Sequence, residues 1–99
     1  MRERDFELYL KKSTSRVEFI YRDNEYVGSF ERYKQNETEL LHYLLVSRDL
    51  NLANGTILFL PNSKGELKPW MVYYLEEILS SGYNKYIMLK MTHYITWLD

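Results

Sequence analysis

Ninety-nine residues, 45% of them apolar and 27% charged, make one globular domain large enough to bury a core without covalent staples. Thirteen basic and fourteen acidic residues leave a net charge of −1, which argues against affinity built on neutralising many phosphates but permits a local basic patch. Cysteine is absent, so neither a disulfide framework nor a thiolate zinc site can form, and metal chemistry would rest on two histidines and carboxylates.

No apolar run approaches the roughly 20 residues needed to span a bilayer, and the charged stretch Met1–Phe6 lacks a signal-peptide core. A cytoplasmic protein with no membrane partner is expected. Ten tyrosines, four phenylalanines and two tryptophans exceed what a core of this size commonly uses, and aromatics are enriched where partners bind.

In chain order, Phe6, Leu8 and Leu10 alternate with polar neighbours, the period of a half-buried strand. Val17, Phe19 and Tyr21 resume the alternation after Ser13-Thr14-Ser15. Residues 22–25 read as a hairpin turn leading to a third strand over about residues 25–32. Gly28 within that strand suggests a bulge or a close neighbour. Asn36, three residues before Glu39, resembles a helix cap, and Leu40, Leu41, Leu44 and Leu45 then form a stripe at helical spacing, with His42 on the outer face. Asn54-Gly55 ends that helix.

The run Thr56–Leu60, followed by Pro61, suits a short strand buried on both faces. Pro69 sits where a helix tolerates it in its first turn, and Leu67, Met71, Leu75 and Ile78 supply a second helical stripe, closed by Gly82. From Tyr86 to Leu98 strict alternation predicts one long strand, unless it bends near Thr92. The predicted order is β-β-β-α-β-α-β. The predicted fold is a single α+β domain spanning residues 1–99: a mixed sheet of about five strands with a right-handed parallel crossover, and two helices mainly on one face.

The candidate ligand site is the loop after Leu60. Pockets form beyond the ends of parallel strands, beside helix N-termini. Asn62, Ser63, Lys64 and Lys68 there offer donors for a small anion or nucleotide, walled by Trp70. The glycine spacing is not that of a phosphate-binding P-loop. His93 falls on the apolar face of the last strand, where a structural histidine suffices. The adjacent Glu76 and Glu77 diverge on a helix and do not make a paired-carboxylate site. A candidate interaction surface comprises Trp70, Tyr73 and Glu77 along one helix edge, with Tyr94 and Trp97 near the chain end. Arg32-Tyr33-Lys34 and residues 83–86 interleave cations with aromatics, as single-stranded nucleic-acid binders do.

No catalytic residues, metal ligands or cofactor motif emerge, and no family resemblance is carried by any motif. The leading expectation is a non-enzymatic interaction, adaptor or inhibitor protein that pairs with itself as a homodimer through residues 86–98, or with another protein. Nucleic-acid binding comes second and small-anion binding at residues 62–70 third. Small, tyrosine-rich, cysteine-free domains are common among viral and mobile-element genes, and this composition is of that kind.

Overall fold

A computed structural model of the chain describes residues 3–34, 36–38, 40–76 and 82–91. One helix, α1 (Glu3–Lys12), precedes six strands: β1 (Arg16–Tyr21), β2 (Asn24–Lys34), β3 (Leu40–Ser47), β4 (Ile57–Pro61), β5 (Leu67–Glu76) and β6 (Tyr83–Lys90). Every pairing is antiparallel, in the order β1-β2-β3-β6-β5-β4. Two three-stranded meanders therefore meet along the β3–β6 seam. The outermost strands, β1 and β4, come into contact, so the sheet curls almost into a barrel.

This overturns the predicted mixed α+β sheet of five strands with two helices, and its parallel crossover. The first expected strand is instead α1. Phe6, Tyr9 and Leu10 follow a helical spacing as well as Phe6, Leu8 and Leu10 follow an alternating one, and Lys11 and Lys12 favour the helix C-terminus. The helix expected from Asn36 is β3. Asn36 Oδ1 does accept from Thr38 N (2.9 Å), but this closes a local turn and caps no helix. Its leucine stripe is shared between two faces: Leu44 and Val46 enter the barrel, while Leu45 lies outside it. The helix expected from Pro69 is β5. Tyr73 forms a bulge there, because Val72 pairs with Met88 whereas Tyr74 already pairs with Ile87.

β4 is not buried on both faces, since Leu58 and Leu60 point inward while Phe59 is exposed. The long C-terminal strand is described as β6 with Met91 after it. Residues 92–99 lie outside the described residues, and with them most of the segment expected to form a homodimer.

The first hairpin turns at Arg22 (φ 51°) and Asp23 (φ 65°), the two positive values that a two-residue hairpin loop demands. Gly28 has the close neighbour its place in a strand suggested, with a built Cβ only 2.7 Å from the carbonyl oxygen of Leu45. Inside the barrel lie Val17, Phe19, Leu44, Val46, Leu58, Leu60, Trp70, Val72, Tyr86 and Met88. The β3–β4 loop plugs one end with Leu50 and Leu52. The buried Tyr86 hydroxyl holds the plug, accepting from Leu52 N (2.8 Å) and donating to Leu50 O (3.3 Å). Asn84 Nδ2 adds bonds to Arg48 O and Leu50 O.

Outside the barrel, α1 seats Phe6 against Tyr83, their ring centroids 5.4 Å apart, and Phe6, Leu45 and Ile87 are all buried. Beside them Glu31 gathers hydroxyls. Its carboxylate accepts from Tyr9, from Ser29 Oγ (2.6 Å) and from Tyr43 (3.1 Å), while Ser13 Oγ reaches Ser29 Oγ at 3.1 Å. With one end plugged and one side sealed by α1, the opposite end of the barrel is left open.

Candidate functional site: the open mouth of the barrel

The mouth is formed where β2 and β6 end and where β1, β3 and β5 begin, with the β4–β5 turn beside them. Alternation along each strand decides what stands there. On β2 the inward positions are Gly28, Phe30, Arg32 and Lys34; on β3 they are the exposed Leu40 and then His42; on β6 they end with Met88 and Lys90. Register places Arg32 opposite His42, His42 opposite Met88, and Trp70 opposite Lys90. The barrel interior thus changes at this end from aliphatic to aromatic and then to cationic.

Three rings form the floor. Phe30 meets Trp70 edge to face at 4.8 Å, His42 lies 4.6 Å from Trp70, and Phe30 is 5.7 Å from His42. Trp70 is buried, so contact with a ligand falls to the half-buried Phe30 and His42. Above the floor are two adjoining depressions of 360 and 520 Å³, both lined by Phe30, Pro61, Asn62, Trp70 and Lys90. Lys68 and Met91 border the first; Arg16, Arg32, His42 and Ser63 border the second. Neither is lined by a carboxylate among the described residues.

The electrostatics follow. Burial, and then the positive charges of Arg32 and Lys90, hold the His42 imidazole below its ordinary pKa. Arg16 touches Glu18 at 3.3 Å and Lys68 stands 4.0 Å from Glu66, both exposed pairs that are easily exchanged for another anion. Arg32 and Lys90 enter no ion pair among the described residues.

The residues expected to bind a ligand divide. Asn62, Ser63 and Lys68 do line the mouth, although on an antiparallel hairpin with no helix N-terminus beside it. Asn62 is partly committed to that turn: its Oδ1 accepts from Lys64 N and Glu66 N, each at 2.9 Å. Gly65, with φ 80°, completes the turn. Lys64 stands exposed on the turn and lines neither depression.

Of the expected interaction edge, the two described residues stand apart. Trp70 is in the floor, while Tyr73 is exposed on the β5 bulge toward the plugged end. Glu77, Tyr94, Trp97 and His93 lie outside the described residues. The sequence singles out neither Phe30, Lys90 nor Arg16, its helical reading of residues 40–45 puts His42 on an outer face, and Arg32 enters it only within a basic–aromatic run.

A small antiparallel sheet curled nearly into a barrel, with one plugged end and a cationic, aromatic-floored mouth, is the class the structure defines. Comparison with protein-family profiles, curated proteins and solved structures returned no match. Among the described residues no group of three or more histidines and carboxylates could hold a metal ion, and no helix is long and apolar enough to cross a membrane.

Proposed function

We propose that this domain is a non-enzymatic binding module that takes an anion with a flat, apolar body at its barrel mouth. One observation carries the reading: Arg16, Arg32, Lys68 and Lys90 surround a floor of Phe30, His42 and Trp70, with no carboxylate lining the space among the described residues. Like charges around one opening repel one another, and an arriving anion relieves that repulsion as well as pairing with them. Volumes of 360 and 520 Å³ are of small-ligand size. His42 stands among Arg32 and Lys90, whose charges and its burial lower its pKa, and among the described residues no carboxylate lines the space to orient it as a general base.

A ligand that binds only the folded state raises its melting temperature, by about 2.7 kcal/mol of stability at a hundredfold excess over Kd. The test is a thermal-shift series with nucleoside phosphates, inorganic phosphate and an uncharged nucleoside. The planar anions are expected to stabilise most, inorganic phosphate weakly and the neutral nucleoside least. Equal indifference to all three would contradict the reading.

A second reading, self-association, is favoured by Tyr73, Tyr74 and Leu75. All three are exposed and consecutive on β5, with the two tyrosine rings edge to face at 5.1 Å. Light scattering tests it: a dimer dispersed by Tyr73→Ser/Tyr74→Ser supports it, and a monomer at high concentration removes it.

A further inference from the structure

We infer that the occupant of the mouth is a single-stranded nucleic acid, with successive phosphates on the rim cations and a base against the Phe30–His42 floor; this rests on the anion-binding reading above. The two depressions are halves of one groove, because they share Phe30, Pro61, Asn62, Trp70 and Lys90. Its cations are spread out: Lys68 on one half, Arg16 and Arg32 on the other, and Lys90 common to both. A free nucleotide gathers its negative charges at one end of one sugar, and so would satisfy one half and leave the other charged and empty. A strand carries its charges at intervals with a planar apolar group between them, which matches cations separated by rings. Beyond Arg32, the next position of β2 on the same face is the exposed Lys34, which extends the row of cations along the strand end.

The floor also tells the strand from its competitors. Stacking on a ring requires a base free of a partner, which a duplex does not present. An acidic peptide would satisfy the cations, but extended peptides gain much of their affinity by pairing with a free sheet edge. This groove crosses strand ends inside the barrel mouth and presents side chains. The depression of 470 Å³ beside the β1–β4 junction gives an acidic peptide no alternative berth, since Glu18 and Glu25 line it and no cation does among the described residues.

Because the whole chain carries a charge of only −1, distant charges add little attraction, and the salt dependence should count local contacts. Two to four phosphates neutralised imply a log–log slope of about −1.4 to −2.8, so affinity should fall about 7- to 50-fold between ~50 and ~200 mM salt.

The experiment uses the full chain with a fluorescein-labelled oligothymidylate of about 12 nucleotides, followed by anisotropy and competed by unlabelled thymidylates from one nucleotide upward. Competition is expected to strengthen by roughly tenfold or more from the mononucleotide to the strand, with the salt slope above. Arg32→Ala/Lys90→Ala should weaken binding by a similar factor and flatten the slope by about 1.4, while Arg32→Lys/Lys90→Arg keeps it. Lys11→Ala/Lys12→Ala on α1 should leave it unchanged, and melting curves confirm that each variant folds. A mononucleotide competing as well as the strand overturns the inference but leaves the anion-binding reading standing. A preference for oligoglutamate or for duplex DNA over the single strand overturns the inference, and with it the flat apolar body of the reading it rests on. Binding to none of these, mononucleotide included, overturns both.

Discussion

Substituting Gly28 by alanine tests how closely β2 and β3 are packed behind the mouth. The added Cβ would stand 2.7 Å from Leu45 O, 3.1 Å from Leu44 Cδ1 and 3.2 Å from Val46 Cγ1. Leu44 and Val46 are fully buried, so neither side chain has space to swing into, and the nearest atom is backbone inside the strand ladder. Overpacking of this kind costs about 1–3 kcal/mol. Against it, alanine recovers about 0.5–1 kcal/mol by restricting the unfolded chain. The steric term wins, leaving a net loss of about 0.5–2 kcal/mol. For a domain of this size each kcal/mol lowers the melting temperature by about 4–8 °C. Urea denaturation reads the change directly: the midpoint should fall with an unchanged slope. An alanine variant as stable as the parent, with the same slope, refutes the close approach.

Tyr86→Phe removes the hydroxyl that holds the plug and leaves the Leu52 amide without its acceptor, so a loss of about 1–3 kcal/mol is expected in the same urea assay; a change below ~0.5 kcal/mol would mean that the plug holds itself. Glu31→Gln replaces an acceptor of three hydroxyls by a group with one acceptor oxygen, and faster amide hydrogen exchange across α1 than in the barrel is the expected sign that the helix has loosened. Burial, then the Glu31 carboxylate, raises the Tyr43 phenol to about 12, and Tyr9 is raised for the same reasons. Their contribution to stability is therefore complete below pH ~10 and is lost as the pH rises toward about 12, so urea midpoints should fall across that window in the parent and less in Tyr43→Phe.

His42 has the opposite sign. Its lowered pKa contributes stability above pH ~6.5 that is lost as the pH falls through the folded value. A bound anion offsets the charges of Arg32 and Lys90, so ligand affinity should rise on acidification, and in His42→Gln it should not.

The strands that alternate cleanly were legible in the sequence, and those covered on both sides were not. Val17, Phe19 and Tyr21 against Glu18 and Arg22 identified β1, and the turn after it followed from Asp23 and Asn24. In β3 Leu45 is buried although it lies outside the barrel, so Leu44, Leu45 and Val46 are buried in succession and the period of two is erased. What remained was a leucine cluster that fits a helix equally well. In β5 the Tyr73 bulge shifts the register, yet Trp70-Met71-Val72-Tyr73-Tyr74 is dense in residues that favour strands and carried a signal that the helical stripe overrode. α1 was lost to the reverse ambiguity, with Phe6 and Leu10 belonging to both patterns.

The site was half visible for the same reason. Asn62, Ser63, Lys68 and Trp70 are neighbours in sequence and stayed together in space. Arg32, His42 and Lys90 join them only through the pairings β2–β3, β3–β6 and β5–β6, which a reading built on two helices could not supply.

A backbone amide NMR titration of the isotope-labelled chain with a short oligothymidylate tests the account at its centre. Shifts concentrated at Arg16, Arg32, His42, Ser63, Lys68 and Lys90, with α1 and the plug residues Leu50 and Leu52 unmoved, are the predicted result. Shifts gathered on α1 or the plugged end, or none at saturating ligand, would contradict it.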